Sequence, residues 1–506
     1  MRAARQAHDI LVRLEKAVHA GNITEVVPED LELESHNTLW SETDETELTL
    51  LKLMPSVPAT SVTHEFNQIT SFGNKRGSGF FGERSLPPET NFQAERVEVA
   101  IKLMGEIGPT FLLAAMEKTV KALGTSGAQN IERAALRLNV LWKKNRNLYK
   151  SDTTLTRGGD DSVRFKGLEQ QIREGTDGTT GTSPYGSHII DMAGDPLTID
   201  TIRDRIGKGI TLFGAFRCLL MDPLSRSDLE GSMDAAQRLP LPIQAAPYAI
   251  GQQIAGIRTQ GGITYFETDN TLSSIYYQGQ YSTDTADGYP TGKPTVVASA
   301  GADGSSGFDS KWTADYAGDH YWVVTEIVDE LEGLGTRYPS TTGSYTTVAA
   351  SQEVTLTLTP SSSEVNSFKV YRGSEADGDD DLVDAWFIFE VASSDDGSAV
   401  TAYDDNLEIP NTTRAFGLNI ISGSEEAMHQ AVPDRYYRAA LGRASYLEGN
   451  DRPRNTVALA HLGPTMGVMA LASILAEVDR PLVYSACCPE VRNPFQQVVF
   501  KNIGRA

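Results

Sequence analysis

A pair of short segments with a strict two-residue period most constrains the fold of this chain. They are unexpected, because long helical patterns precede them. In VTLTLTPSSSEVNSFKVYRG, residues 354–373, the first strand alternates apolar residues with threonine, and a proline and a serine run separate it from the second. This alternation is typical of a strand with one buried face. Because proline cannot continue a ladder of hydrogen bonds, we expect the two strands to belong to a small β-sandwich.

Further segments of the same kind surround this pair: HYWVVTEIVDE, DAWFIFEVA and AVTAYDD, spaced by glycine, serine and aspartate turns. Several short strands at such spacing favour a sandwich. Charge sets the same block apart, since residues 293–415 hold 22 acidic and 6 basic side chains, a net charge of −16 out of −23 for the chain. We therefore predict an inserted all-β domain at 293–415, between two parts of a mixed α/β host.

A projecting hairpin is predicted before the helices. The segments HEFNQITSFG and NFQAERVEVAIKLMGEI have strand character and flank the glycine-rich loop NKRGSGFFGERSLPPET. A two-stranded arm without a core of its own needs a neighbouring surface. The candidate contact residues toward that neighbour are the three cations of the loop, Lys75, Arg76 and Arg84.

Two helices are predicted after the hairpin. GPTFLLAAMEKTVKAL begins with a proline near a helix N-terminus, and residues 130–152 keep the helical repeat for several turns. The basic residues of the second helix are expected to be solvated or in ion pairs rather than bound to nucleic acid. They are Arg133, Arg137, Lys143, Lys144 and Arg146.

The remaining segments predict a compact α/β unit and a return to the host. DPLTIDTIRDRIGKG is predicted as a helix that ends at a glycine cap, and FRCLLMDPLSRSDLEG as a strand, a turn and the start of a helix. Gly261 and Gly262 predict the turn of a hairpin. Near the C-terminus, AHLGPTMGVMALASILAEV is predicted as an apolar helix.

The N-terminal region predicts an arm. Leu11, Leu14 and Val18 share one face of an amphipathic helix over residues 2–20. Residues 25–47 then hold nine acidic residues and no lysine or arginine, a composition typical of a solvated segment.

No catalytic or metal-binding template fits the sequence, so we expect a protein that is not an enzyme and has no cofactor. IGKGIT lacks the spacing of a phosphate-binding loop, and DGDDD lacks the glycine and glutamate of a calcium loop. Asp404 and Asp405 are adjacent in a predicted strand and therefore point to opposite faces. The eight histidines are scattered, and reduced thiols are expected for the three cysteines, Cys218, Cys487 and Cys488.

Overall charge and hydropathy exclude two further classes. A net charge of −23 argues against a protein that wraps nucleic acid, because phosphate neutralisation needs clustered lysine and arginine. No stretch approaches the ~20 apolar residues of a membrane span, and the charged N-terminus is unlike a signal peptide. We expect neither a membrane association nor secretion.

The order of these elements resembles the major capsid protein of tailed bacteriophages, with the Hong Kong-type or Johnson fold. Residues 64–107 look like its extended loop, and NIERAALRLNVLWKKNRNLYKSD looks like its spine helix. DPLTIDTIRDRIGKG followed by FRCLLMDPLSRSDLEG is similar to the axial domain. FKVYRG and TAYDDNLEIPNT are similar to the strands and exit of an immunoglobulin-like insertion that some large contractile-tailed phages carry.

This resemblance implies an α+β fold in six parts. They are an N-terminal arm (1–60), an extended loop hairpin (61–107), a peripheral domain with the spine helix (108–185), an axial domain (186–292), an immunoglobulin-like insertion (293–415) and an axial and peripheral return (416–506).

The resemblance also implies a function: self-assembly into the icosahedral head shell of a virion, put together in the host cytoplasm. The partners would be other copies of the chain in hexamers and pentamers, with scaffolding, portal and decoration proteins. The shell would enclose double-stranded DNA without reading its sequence. Some relatives crosslink a loop lysine to an asparagine; Lys75 is the candidate at the loop tip, but a lysine beside an arginine is expected to form an ion pair instead.

Two other functions stay open. A tail or baseplate protein would use the projecting arm to build a ring or tube. A secreted carbohydrate-active enzyme with an accessory β-sandwich would need a signal peptide and clustered acids with aromatics around a cleft, and the sequence has neither.

Overall fold

The computed structural model describes most of the chain. The described residues are 48–71, 80, 93–108, 110–111, 128–157, 162–176, 182–183, 186–212, 216–232, 256–259, 262–282, 290–302, 309–341, 343–374, 385–420, 456–471 and 478–505. The predicted helix at 2–20, the acidic segment 25–47 and the DGDDD turn lie outside them, as does the loop with Lys75, Arg76 and Arg84.

The described helices are few, and one is long. They are α1 (Thr49–Leu53), α2 (Ala128–Lys150), α3 (Leu168–Thr176), α4 (Ile199–Leu212), α5 (Pro223–Ser232) and α6 (Ser274–Tyr277), with 3-10 turns at Thr153–Leu155, Asn270–Leu272 and Pro494–Gln496.

Strands make up more of the described chain than helices, as expected for a mixed α+β protein. Before the β-rich block they are β1 (Ser56–Ala59), β2 (Thr63–Ser71), β3 (Gln93–Ala100), β4 (Lys102–Ile107), β5 (Thr110–Phe111), β6 (Thr182–Ser183), β7 (Gly186–Ser187), β8 (Ile189–Asp191), β9 (Cys218–Met221), β10 (Gly256–Thr259) and β11 (Gly262–Thr268).

Within the β-rich block and after it, the strands are β12 (Thr295–Ala302), β13 (Gly318–Val328), β14 (Leu331–Glu332), β15 (Thr336–Tyr338), β16 (Thr346–Val348), β17 (Gln352–Thr359), β18 (Ser367–Ser374), β19 (Trp386–Ala392), β20 (Val400–Asp404), β21 (Thr413–Leu418), β22 (Val457–Leu462), β23 (Gly467–Leu471), β24 (Val478–Val491) and β25 (Val498–Ile503).

The host contains two six-stranded sheets, and α2 packs against the first. This sheet has the order β1-β22-β24-β23, with β4 and β5 also paired to β24. The second has the order β10-β11-β9-β21-β25-β8. Its central strand β21 lies between β9 and β25, so the segment that follows the β-rich block is part of the host core.

The β-rich block folds as two sheets around one core. One sheet has the order β12-β17-β20, and the other has β14-β13-β18-β19 with β15 and β16 also paired to β13. Buried residues of both sheets, Leu356 and Val370 among them, belong to one apolar cluster. The strands β17 and β18, which carry the two alternating patterns, lie in different sheets, so Pro360 and the serines connect the sheets rather than close a hairpin.

Three predictions about local structure were wrong. The described part of AHLGPTMGVMALASILAEV, residues 460–471, is not a helix, since it contains the end of β22 and all of β23, which flank Gly463 and Pro464 and both pair with β24. A long apolar run reads alike in a buried helix and a buried strand, and proline breaks the helix alternative. The helix at 199–212 continues through Gly207 instead of ending at a glycine cap. Thr110–Phe111, predicted to start a helix, is a strand paired with β24.

Several of the other predicted elements are confirmed where they fall on described residues, whereas the predicted helix at 2–20 and residues 112–123 of GPTFLLAAMEKTVKAL lie outside them. Strands occur at all five segments named for the β-rich block, and β10 and β11 form the hairpin around Gly261 and Gly262. The predicted helix at 130–152 corresponds to α2. No helix among the described residues is long and apolar enough to cross a membrane.

Candidate functional site

The hairpin of β2 and β3 is anchored at its base and uncovered beyond it. The two strands pair only with each other in the described chain, and Phe66 and Val99 at the base are buried in the host core. Beyond the base, Glu95 and Arg96 are exposed, and Phe80 in the loop between the strands is 92% exposed. A large aromatic ring in water loses about 1.5–3 kcal/mol of burial energy, which a partner surface would recover.

A second apolar surface lies on the outer face of the first host sheet. Ile107 of β4 and Met469 of β23 both pair with Leu482 of β24, so the three side chains share one face. Leu103 lies on that face as well and is 73% exposed, while Ile107 is 52% and Met469 49% exposed. Such contiguous apolar area on a protein surface indicates an interaction site.

Residues 134–139 of α2 are also largely exposed. The apolar repeat predicted for this helix includes Ala134, Ala135 and Leu138, all of which are exposed. Burial begins only at Val140 and continues to Leu148 and Tyr149. The C-terminal half of the helix therefore packs in the host core, whereas the apolar side chains of residues 134–138 lie partly or fully in solvent.

The β-rich block is seated on the host by specific contacts. Arg164 of the host donates to Glu330 and Glu390 of the block at 2.8 Å each. Although burial opposes it, these two carboxylates raise the pKa of Arg164. A short backbone ladder adds to the contact, since Phe387 N donates to Gly279 O at 3.0 Å and Tyr281 N donates to Ala385 O at 2.8 Å. The block therefore has a fixed orientation on the host.

The residues considered for chemistry have structural roles. Asp404 accepts two hydrogen bonds from Arg372 at 2.7 and 2.8 Å, and both side chains are buried. All three cysteines are reduced thiols, and all three are buried. Burial raises the pKa of Cys487 and raises that of Cys488 to about 12, so both thiols stay protonated at neutral pH. In the part of the chain that the structure describes, no cluster of ligands could hold a metal ion.

Lys144 is buried, against the prediction that the basic residues of this helix are solvated or in ion pairs. Its Nζ lies 2.7 Å from His461 Nε2 and 3.1 Å from Ser485 Oγ. Burial lowers the pKa of Lys144, and burial together with the Lys144 charge lowers that of His461 to about 4. The burial of Lys144 could have been found from the sequence. It is four residues from both Val140 and Leu148, so the helical repeat places it on the buried face.

This cluster predicts an acid-dependent loss of stability. The ordinary histidine pKa is about 6.5, so as the pH falls the unfolded state takes up the proton first. The contribution of His461 is complete above pH 6.5 and is lost between pH 6.5 and about 4. In urea unfolding, the free energy of unfolding should be about 2 kcal/mol lower at pH 4.5 than at pH 7.5. This decrease should be absent in His461→Gln. Parallel pH profiles of the two proteins would contradict this assignment.

The comparisons with known proteins give structural similarities only. No protein-family model matches the sequence, and no curated protein matches it. The chain resembles the holo-SrpI encapsulin complex of Synechococcus elongatus PCC 7942 with 8% identity and a TM-score of 0.36, covering 95% of this chain and 96% of that one. It resembles the capsid of an empty GTA particle with 10% identity and a TM-score of 0.39, covering 96% and 98%.

A third similarity is to the capsid of cyanophage P-SCSP1u, with 8% identity, a TM-score of 0.36, and coverage of 94% of this chain and 95% of that one. At TM-scores this low, the similarity by itself assigns neither a fold nor a function.

Proposed function

We propose that this chain is a major capsid protein that assembles into the head shell of a tailed phage. The observation that carries the proposal is the hairpin of β2 and β3, whose base is part of the host core and whose Phe80 is 92% exposed. An arm of this kind is complete only when it lies on another molecule. In a shell, every neighbouring copy of the subunit is such a molecule.

The order of elements supports the same proposal. A projecting hairpin, the long helix α2, a mixed α/β unit and a C-terminal return to the first sheet follow one another along the chain. This is the order of the Hong Kong-type fold: extended loop, spine helix, axial domain and return to the peripheral domain. The pairing of β22 with β1, and of β24 with β22, corresponds to this return, because it joins the last part of the chain to the first described strand.

Self-association is supported by the distribution of exposed apolar side chains. Two exposed apolar surfaces lie on the host: the outer face of the first sheet, with Leu103 and Ile107, and residues 134–139 of α2, with Leu138. In rings of identical subunits, each surface meets a different surface of the next copy, as heterologous contacts require. We propose that hexamers and pentamers form through these contacts, with scaffolding and portal proteins as further partners.

We further propose that the β-rich block is an immunoglobulin-like insertion on the outer surface of the shell. Its two packed sheets and its charge of −16 over 293–415 suit a solvated position that keeps particles apart. The remaining −7 makes the host weakly charged, so packed DNA would release few counterions on contact with it. In this role the protein is structural and not an enzyme.

The proposal predicts the effect of reversing the loop charges. Changing Lys75, Arg76 and Arg84 to glutamate should leave the melting temperature of the subunit nearly unchanged, because exposed charges contribute little to stability. Particle formation should be blocked, because the loop would no longer match an acidic neighbour. Electron microscopy and analytical ultracentrifugation of the purified protein distinguish single subunits from assembled particles.

The matched control keeps the charge: Lys75→Arg, Arg76→Lys and Arg84→Lys should assemble as the wild type does. Closed shells from the glutamate variant would contradict the docking role of the loop. Open tubes or rings from the wild-type protein would instead indicate a tail or baseplate component, and particles of neither kind would overturn the assembly proposal.

A further inference from the structure

The sheet of β12, β17 and β20 has an outer face made largely of hydroxyl groups. In β17, Leu356 and Leu358 point into the core of the block, so Thr355, Thr357 and Thr359 point outward. The shell assembly proposed above assigns no role to this face.

Strand pairing brings further hydroxyls beside these threonines. Thr355 pairs with Ser299 of β12 and with Tyr403 of β20, while Thr357 pairs with Val297 and Thr401. We call the outward side chains of residues 295–299, 355–359 and 401–403 the hydroxyl face. Seven of these eight side chains carry a hydroxyl group, and the eighth belongs to Val297.

The hydroxyl face carries no charged side chain, although it lies within the most acidic part of the chain. The next outward residue of β17 is Glu353, but it is only 1% exposed and presents no charge at the surface. The outer face of the other sheet of the block does carry charges, including the pair of Lys369 and Glu332. A face without charges is therefore a local property of the first sheet and not of the whole block.

The hydroxyl groups are available to a ligand. None of the seven has a hydrogen-bond partner among the described residues, and four of the seven side chains are exposed while Thr355, Thr357 and Tyr403 are half-buried. Each hydroxyl can donate one hydrogen bond and accept two. From the spacing of strands and of residues along them, the array is flat and measures about 10 Å by about 14 Å.

The host lies against the opposite side of the block. Lys150 Nζ lies 3.7 Å from the centre of the Phe387 ring, and Arg164 donates to Glu390, both of which belong to β19 in the other sheet. The outer faces of two packed sheets point in opposite directions. The hydroxyl face is therefore turned away from α2.

The chemistry of this face excludes most kinds of partner. A charged ligand would find no counter-charge on it, and an apolar ligand would take seven hydroxyl groups out of water without replacing their hydrogen bonds. A neutral ligand that is itself rich in hydroxyls both donates and accepts, as the face does. The Tyr403 ring and Val297 add apolar contacts of the kind that the C–H face of a sugar ring makes.

We propose that the hydroxyl face binds a neutral polysaccharide. A polymer fits better than a single sugar, because the array is longer than one sugar ring and offers hydroxyls from three strands. If the block lies on the outside of the shell, as proposed above, each particle would display many copies of this site. The site itself is complete in one subunit.

Electrophoresis of the full chain in native gels that contain dextran, mannan or laminarin tests the proposal. At least one of these neutral polysaccharides should retard the wild-type protein. Thr355→Val combined with Thr357→Val should weaken binding by at least about tenfold, because each change removes hydrogen bonds to the ligand. Valine keeps the branched shape and the strand preference of threonine, so the melting temperature should change little.

The matched control changes two threonines of the other sheet. Thr336 of β15 and Thr346 of β16 are also half-buried strand residues but lie outside the hydroxyl face, so Thr336→Val combined with Thr346→Val should bind as the wild type does. Salt gives a second readout. Hydrogen bonds between neutral groups are not screened, so the retardation should be equal at about 0.05 M and about 0.5 M NaCl.

Four outcomes would overturn the proposal. No retardation by any of the three polysaccharides would leave the threonines a role in strand formation only. Equal weakening in the control pair would show that binding lies elsewhere, and retardation that disappears in salt would assign it to charge. Self-association of the wild type that the Thr355 and Thr357 changes abolish would make the face a contact between copies. None of these readouts requires particles, so a failure here is distinct from a failure of the shell proposal.

Discussion

Arg372→Met should destabilise the β-rich block by about 3–5 kcal/mol, because it leaves the Asp404 carboxylate buried without its counter-charge. Arg372 belongs to β18 and Asp404 to β20, so the pair joins the two sheets across their shared core. The side chains are only 2% and 3% exposed. The guanidinium also lies 4.5 Å from the centre of the Trp312 ring, where methionine would keep an apolar contact but no charge.

The matched control is Lys369→Met, three residues away on the same strand. Lys369 pairs with Glu332 at 2.6 Å, but the two side chains are 25% and 27% exposed. Solvent screens such a pair, so its loss should cost no more than about 1 kcal/mol. Urea unfolding of the full chain, followed by tryptophan fluorescence, measures both variants, since Trp312 and Trp322 flank the buried pair.

A double variant separates the missing charge from the missing packing. Arg372→Met combined with Asp404→Asn removes both charges and should recover a large part of the loss, because no ion is left buried. Equal destabilisation by Arg372→Met and Lys369→Met would show that burial does not govern the energy of these pairs.

The strands of the β-rich block were predictable from sequence because their signal is local. Each has one face in the shared core, as with Val354, Leu356 and Leu358 of β17, and a two-residue period records that burial directly. Which sheet a strand joins depends on contacts between distant residues. The sequence therefore could not show that β17 and β18 lie in different sheets.

The C-terminal strands show where local patterns fail. The strands β22 and β23 carry apolar residues on both faces, so neither period stands out. Their pairing with β24 is a property of the whole sheet. The hydroxyl face was predictable only in part. Thr355, Thr357 and Thr359 alternate within one strand, but Ser299 and Tyr403 lie beside Thr355 only because strands distant in the sequence pair with β17.

The predicted boundary of the insertion also depends on such long-range pairing. The sequence predicts that the insertion ends at residue 415, but β21 begins at Thr413 and Ala415 is fully buried in the host sheet, paired with both Met221 and Phe500. The strands of the block itself run from Thr295 to Asp404. Acidic composition continues past the last of these strands, which is why charge alone misplaces the end.

Two deletions that differ by 13 residues should therefore behave very differently. Replacing residues 295–404 with a linker should leave a soluble, folded host. Replacing 293–415 should give insoluble subunits, because it removes the first half of a central strand and the Arg414 ion pairs with Glu169 and Glu408. Soluble yield and the circular dichroism of the soluble fraction measure the contrast.

The linker must be long enough for the geometry of the block. Thr295 pairs with Thr359 and Asp404 with Val354, so entry and exit lie near opposite ends of β17. Five residues along a strand and two strand spacings separate them by roughly 19 Å. A Gly/Ser linker of about ten residues has a matching average span of about 17 Å, whereas a tight turn would strain the host.

The shorter deletion should lower the melting temperature of the host without unfolding it. Arg164 and Lys150 lose their contacts with Glu390 and Phe387 but regain water, and Tyr281 loses the ring contact with Tyr371. Since residues 295–404 hold 20 acidic and 4 basic side chains, the shortened chain keeps a net charge of −7 and should aggregate more readily at low ionic strength. If both deletions are equally soluble, β21 is not required for the host sheet; if neither is, the β-rich block is part of the host core rather than an insertion.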